Sequence, residues 1–215
     1  QMCIRDRVST VIASSAWLDQ EQRRLDAGAF REGGQAIRAR IRGLGAPVRR
    51  LDRVASIYSE SRFARTYVPD PTRGLPYLTG SDMLLLDLQG LLQISRARTK
   101  QASALRILEG WTLISCSGTI GRTAFVRREI AGHILSHDVI RAVPHDGDIK
   151  KGYLFAFLSS RQALAMIRQK TYGSVVQHIE PGHIADLPVP TPDSADEDNI
   201  DRLVCTAAEA RTEAA

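Results

Sequence analysis

Apolar residues recur in short runs through most of the chain, and only in two stretches do they recur at helical spacing. Residues 111–117 (Trp-Thr-Leu-Ile-Ser-Cys-Ser), 124–126 and 134–143 are β-branched-rich runs separated by glycine turns, and they predict short strands. Residues 105–108 are expected to add another strand. Residues 75–82 predict a strand running into a turn, with Ser81 or Asp82 capping a short helix. In residues 152–168 apolar positions fall at Leu154, Phe155, Phe157, Leu158, Leu164, Ala165 and Ile167 and break at Ser159-Ser160, which predicts two helices in tandem. Residues 51–58 fit a short helix or a strand, residues 59–74 an exposed loop, and residues 174–179 a further strand.

The two ends differ from this centre. Residues 15–43 are polar and Arg-rich, with Trp17, Leu18, Leu25, Phe30, Ile37 and Ile41 as their apolar positions, and predict loose helical segments broken at Gly33-Gly34. Pro181, Pro188, Pro190 and Pro192 predict an extended connection unsuited to helix or central strand, where the globular body ends. Residues 193–215 then start a helix at Asp193-Ser194 that is expected to find nothing to pack against. This partition gives a helical arm at 1–45, a body at 46–192 and the beginning of a long helix at 193–215. Residues 1–7 have no periodicity and carry no structural weight in it.

Charge sharpens the picture. The 215 residues hold 29 Lys and Arg against 24 Asp and Glu. Residues 1–190 are net +10, whereas residues 191–215 are net −5. A basic body suits a polyanionic partner such as nucleic acid. The apolar run Met83-Leu84-Leu85-Leu86 is far too short to span a bilayer, and a cytoplasmic, membrane-free location is the expectation. Three cysteines far apart (Cys3, Cys116, Cys205) point to reduced thiols rather than a disulfide framework or a zinc site.

Motifs for catalysis are absent from the sequence: it has no Walker phosphate loop, no three-glycine dinucleotide fingerprint and no Gly-x-Ser-x-Gly elbow. His133 and His137 have the spacing of helical zinc ligands, but Ile134 stands where the general-base glutamate belongs. Asp138 with Asp148-Ile149-Lys150 could form a metal-dependent nuclease triplet, yet Asp146-Gly147-Asp148 reads as a surface turn. No cofactor, no metal and no enzymatic activity are expected.

Binding signals are better formed. Residues 115–122 (Ser-Cys-Ser-Gly-Thr-Ile-Gly-Arg) put two glycines and three hydroxyls in a turn directly after an apolar strand. Freed backbone amides, Ser117, Gly118, Thr119 and Arg122 together suit phosphate contacts, with Thr119 near a base edge; the same glycines also suit a plain tight hairpin. Lys170, Tyr172, Gly173 and Ser174 form a second such cluster at a helix end, which reads equally as a helix C-cap. Arg62 and Arg65 in the 59–74 loop, and Lys150 and Lys151, complete the candidate DNA-binding set, although such residues are also ordinary solvated surface.

Five segments in order carry a resemblance: Pro76-Tyr-Leu-Thr-Gly-Ser-Asp82, Leu113-Ile-Ser-Cys-Ser-Gly-Thr-Ile-Gly-Arg122, Gly152-Tyr-Leu-Phe-Ala-Phe-Leu-Ser-Ser160, Tyr172-Gly-Ser174 and His183-Ile-Ala-Asp-Leu-Pro-Val-Pro190. Their order and spacing over residues 75–192 resemble the target recognition domain of type I restriction-modification specificity subunits, and Arg24-Leu-Asp-Ala27 with Phe30 extends the likeness. The resemblance implies an α+β fold: a compact target recognition domain with an irregular mixed sheet and short helices, followed by the start of a spacer helix. It implies a non-catalytic reader of one half of a bipartite target in double-stranded DNA, working with methyltransferase and restriction subunits and, for a half-length chain, with a second copy of itself. Two alternatives stay open: a recognition domain detached from a fused restriction-methylation enzyme or phage-defence protein, and a protein-binding adaptor.

Overall fold

A computed structural model of the chain describes residues 33–171 and 177–214. At its centre is a four-stranded antiparallel sheet in the order β2 (Ala55–Tyr58), β8 (Val139–Pro144), β5 (Thr112–Ser115), β6 (Thr123–Phe125). A three-stranded mixed sheet packs beside it, with β3 (Gly74–Leu78) antiparallel to β4 (Gln93–Ser95) and parallel to β7 (Ile134–Leu135). A separate ribbon pairs β1 (Val48–Arg50) with β9 (Pro188–Pro190). The helices are α1 (Gly34–Arg42), α2 (Ala102–Leu105), α3 (Lys151–Ser159), α4 (Arg161–Gln169), α5 (Pro181–Ile184) and α6 (Ser194–Glu213). The expected α+β architecture is therefore the observed one.

Strand alternation builds two cores at once. In β5, Ile114 pairs with Ile140 of β8 on one face and meets Leu154, Leu158 and Met166 from the tandem helices. Its neighbour Leu113 points the opposite way, into a cluster with Leu78, Ile107, Val126 and Val139. Burial on both faces explains why β5 and β8 read as β-branched-rich runs rather than as alternating apolar and polar positions. Each such residue contributes about 1.5–3 kcal/mol on burial. Arg141 interrupts the pattern: it is fully buried opposite Leu113, and its guanidinium lies against the carbonyls of Leu105, Leu135 and Val139 and over the Tyr58 ring at 5.9 Å.

Three sequence expectations are corrected here. Residues 105–108 form the end of α2 and an extended bridge from Arg106 to Ile134, not a strand of their own. The proline segment is partly regular, because Pro181 takes the first turn of α5, where no N–H is needed, and Pro188 and Pro190 sit in a strand with a single neighbour, β1. The third concerns α6, which has a partner. Asp193 caps it through the Asp196 amide at 2.9 Å, and it lies along α3.

That contact is a cap that α6 supplies to α3. The first turn of α3 has no side-chain cap of its own, and its Lys150 and Gly152 amides donate to Glu197 (2.6 Å) and Asp201 (2.7 Å) of α6. The Lys150 ammonium adds an ion pair to Asp198 at 3.1 Å. At its far end α6 is held by Thr212, which donates to Glu129 at 2.5 Å, and by Arg211, which donates to the Leu84 carbonyl at 3.2 Å. Covered by the sheet on one side and α6 on the other, α3 is apolar nearly all round. Among the described residues no helix is long and apolar enough to cross a membrane.

A β-carbon at Gly152 would lie 2.8 Å from the Asp201 carbonyl and 3.0 Å from its Cα. Gly152→Ala is therefore expected to lose about 1–3 kcal/mol to this collision, beyond the gain of about 1 kcal/mol from replacing a helical glycine. Chemical denaturation with hydrogen exchange along residues 203–213 checks it; unchanged stability and protection would mean that α6 does not depend on this contact.

Candidate nucleic-acid interface

At one end of the four-stranded sheet β2 and β5 leave while β6 and β8 enter, since Tyr58 pairs with Arg141 and Ser115 with Val139. Three connections therefore converge there: the loop following β2, with Arg62 and Arg65; the β5–β6 turn, with Ser117 to Arg122; and the β7–β8 turn, with His137 and Asp138. The backbone ties two of them directly, the Cys116 amide donating to the Asp138 carbonyl at 3.3 Å.

The β5–β6 turn is rigid at its root and open at its tip. Ser115 Oγ donates to the Thr119 carbonyl at 2.6 Å and accepts from the Arg122 amide at 3.0 Å. Gly118 and Gly121 have φ of 69° and 81°, which only glycine adopts without strain. At Gly121 a side chain would also strike Leu164 of α4, 2.6 Å from a β-carbon, so the turn lies flat on that helix. Ile120 is buried in the same core, whereas Gly118, Thr119 and Arg122 face solvent. Both readings of these glycines hold together: the hairpin needs them, and it projects polar groups.

Ser117 is half-buried and hydrogen-bonds through Oγ to His178 Nδ1 at 2.7 Å, beside a backbone bridge between the same two residues. Ile179 continues the tie through its amide to the Cys116 carbonyl at 3.0 Å. Residues 177–179 thus run against the root of the turn. Tyr172, Gly173 and Ser174 lie outside the described residues. Arg65 donates to the Tyr77 hydroxyl at 3.1 Å and lies over that ring, an arrangement that keeps it charged, and Arg62 is exposed nearby.

The remaining basic candidates occupy different places. Lys170 is buried at the end of α4 and pairs with Asp186 at 3.6 Å, a carboxylate it shares with Arg38 of α1 at 3.4 Å. Lys150 and Lys151 lie past the opposite end of β8, facing Asp198 and Glu109. Their charges serve the body and α6, and they do not join the convergent loops.

His137 and Asp138 also stand in the cluster, whereas the sequence drew attention to them only as a zinc ligand and a nuclease carboxylate. The zinc and nuclease options do not assemble: among the described residues no group of three His, Cys, Asp or Glu is placed to hold a metal. Asp138 and Asp148 flank opposite ends of six-residue β8, about 20 Å of extended chain. Asp148 instead pairs with Arg49 at 2.8 Å, which holds its carboxyl below the usual range. Cys116 is buried, which pushes its thiol up to about 11.

Neither a protein-family model nor a curated protein matches the sequence. Solved structures do. The HsdS subunit from Thermoanaerobacter tengcongensis superposes with a TM-score of 0.53 at 16% identity, over 93% of this chain and 50% of that one. The chain has the fold of half an HsdS subunit. A structure described as the structural basis underlying complex assembly and conformational transition of the type I R-M system matches with a TM-score of 0.53 at 18% identity, over 93% of this chain and 52% of that one. The type IIG restriction endonuclease BpuSI also shares the fold, with a TM-score of 0.56 at 11% identity over 89% of this chain and 30% of that one. The chain thus spans about half the length of these two neighbours.

Removing the His178 ring leaves Ser117 Oγ without its partner. His178→Ala is expected to cost about 1 kcal/mol and to speed hydrogen exchange at residues 117–121 while the rest of the chain keeps its protection. Exchange rates unchanged at that turn would mean that the Ser117–His178 contact does not hold it.

Proposed function

We propose that this chain is a DNA specificity module of a type I restriction-modification system, reading one half of a bipartite double-stranded target. The observation that carries this reading is the convergence of the Arg62–Arg65 loop, the Ser117–Arg122 turn and the His178 segment at one end of an HsdS-like sheet. Arg62, Arg65 and Arg122 neutralise phosphates and set the register, because such contacts supply affinity without sequence information. Thr119 at the open tip, with Ser117 behind it, reads base edges, together with the sequence-assigned Tyr172, Gly173 and Ser174.

The chain itself performs no chemistry in this reading; separate methyltransferase and restriction subunits supply it. Support comes from the HsdS likeness and from the arginines and hydroxyls that converge at this end of the sheet. The helix α6 sets the direction from this reader to the next. Its outward face carries Leu203, 54% exposed, with Ala207, Ala210 and Ala214 at helical spacing, which suits pairing with a second copy of the chain.

The likeness to BpuSI favours a second reading, a recognition domain from a fused restriction-methylation enzyme. Co-purification with a methyltransferase subunit encoded separately would favour the first reading, and failure to recruit one the second.

Three phosphate contacts predict a fall in DNA affinity of about 40-fold between 50 and 200 mM salt, from a slope of about −2.7 on logarithmic axes. Arg122→Ala is expected to reduce that slope by about 1 with an unchanged unfolding midpoint. Fluorescence anisotropy against random and selected duplexes measures both. A salt-independent affinity sinks the phosphate-contact reading, and unfolding of Arg122→Ala would assign Arg122 to the hairpin instead.

A further inference from the structure

His137 stands out at the proposed interface because its polar ring is enclosed without a matching hydrogen bond. Its side chain is 11% exposed, and neither ring nitrogen has a hydrogen-bond partner. Nε2 stops 3.4 Å from Asp138 Oδ1, and Phe63, between Arg62 and Arg65 in sequence, lies edge-on to the ring at 6.5 Å. The charged and titratable groups facing it are Arg62 and Arg65 from the loop after β2, Asp138 from its own turn, and His178 from the segment bonded to Ser117.

Resting on the DNA-binding reading above, we propose that His137 is a positioning residue of the DNA surface: it takes up a proton from solvent as DNA covers Arg62 and Arg65, and the charged ring then pairs with Asp138. In the free chain, burial first, and then Arg65, Arg62 and His178, hold the ring below its ordinary titration range, against the pull of Asp138. Phosphates on the two arginines cancel the repulsion from that side and leave Asp138 unopposed. A protonated ring has donors on both nitrogens, so the short approach of Nε2 to Asp138 becomes a charge-assisted hydrogen bond. Because Phe63 rides on the ring and the Asp138 carbonyl holds Cys116, this bond draws the arginine loop and the root of the Ser117 turn together.

The sign follows from linkage. If the bound state holds the proton more tightly than the free state, affinity rises as pH falls through the bound-state titration, and the gain is complete once the free ring is also charged. The test is anisotropy of the full chain against a random-sequence duplex at fixed ionic strength from about pH 8 to pH 6, with calorimetry in buffers of different ionisation enthalpy to count protons. The expected result is uptake of up to one proton and an affinity that rises by as much as about tenfold per pH unit, with the slope lost in His137→Gln. An equal slope in His137→Gln, or DNA binding without proton uptake, overturns the role of His137 and leaves the DNA-binding reading standing. No DNA binding at any pH overturns both. Should His137→Gln fail to fold, the NMR titration of the His137 ring in the free and DNA-bound chain decides: a titration that does not move on binding overturns the proposal.

Discussion

Two strands at the middle of the molecule, β5 and β8, are covered on both faces, and this double burial constrains every other element. Successive residues feed opposite cores, Leu113 and Val139 one way and Ile114 and Ile140 the other, so a slip of one position would exchange the two sets. The helices α3 and α4 close one side, and the β3–β4–β7 sheet with its short helical turns closes the other. Arg141 occupies the only pairing position on β8 where one core holds a charge opposite Leu113. Its burial lowers the affinity of the guanidinium for its proton, and nearby carbonyls and the Tyr58 ring replace the lost water.

The same strand order creates the candidate interface. Antiparallel neighbours must turn at their ends, and at one end the turns are Arg-rich, hydroxyl-rich and glycine-hinged, while at the other Lys150 and the Gly152 amide engage the acidic side chains of α6. The two ends of one sheet thus have separate chemistries: one suits a polyanion, the other fastens the trailing helix.

Much of this was legible from residue order. The runs at 111–117 and 134–143 and the break at Ser159-Ser160 follow from local pattern, and so does the hairpin, because glycine at positive φ leaves a mark in the sequence. What depended on distant partners was not. Lys170 has the same local neighbours as a solvated C-terminal lysine; only the fold brings Asp186 to it. Lys150 and Lys151 look like a basic patch until Glu197, Asp198 and Asp201 arrive from about fifty residues away. His178 and Ser117 are 61 residues apart, and neither carries a signal pointing to the other. The prolines of β9 were read as a stop because the rule against them applies to strands with neighbours on both sides, and β9 has one.

Fastening α6 at both ends makes it a lever rather than a tether. Its 20 residues extend about 30 Å, so a tilt of about 5° at its root would shift its tip by about 3 Å, close to the rise of one base pair. The Glu197 and Asp201 caps at the start and the Thr212–Glu129 contact at the finish remove that freedom. The tip of α6 therefore keeps a fixed bearing relative to the loops at the other end of the sheet, and a few polar contacts set its angular stiffness.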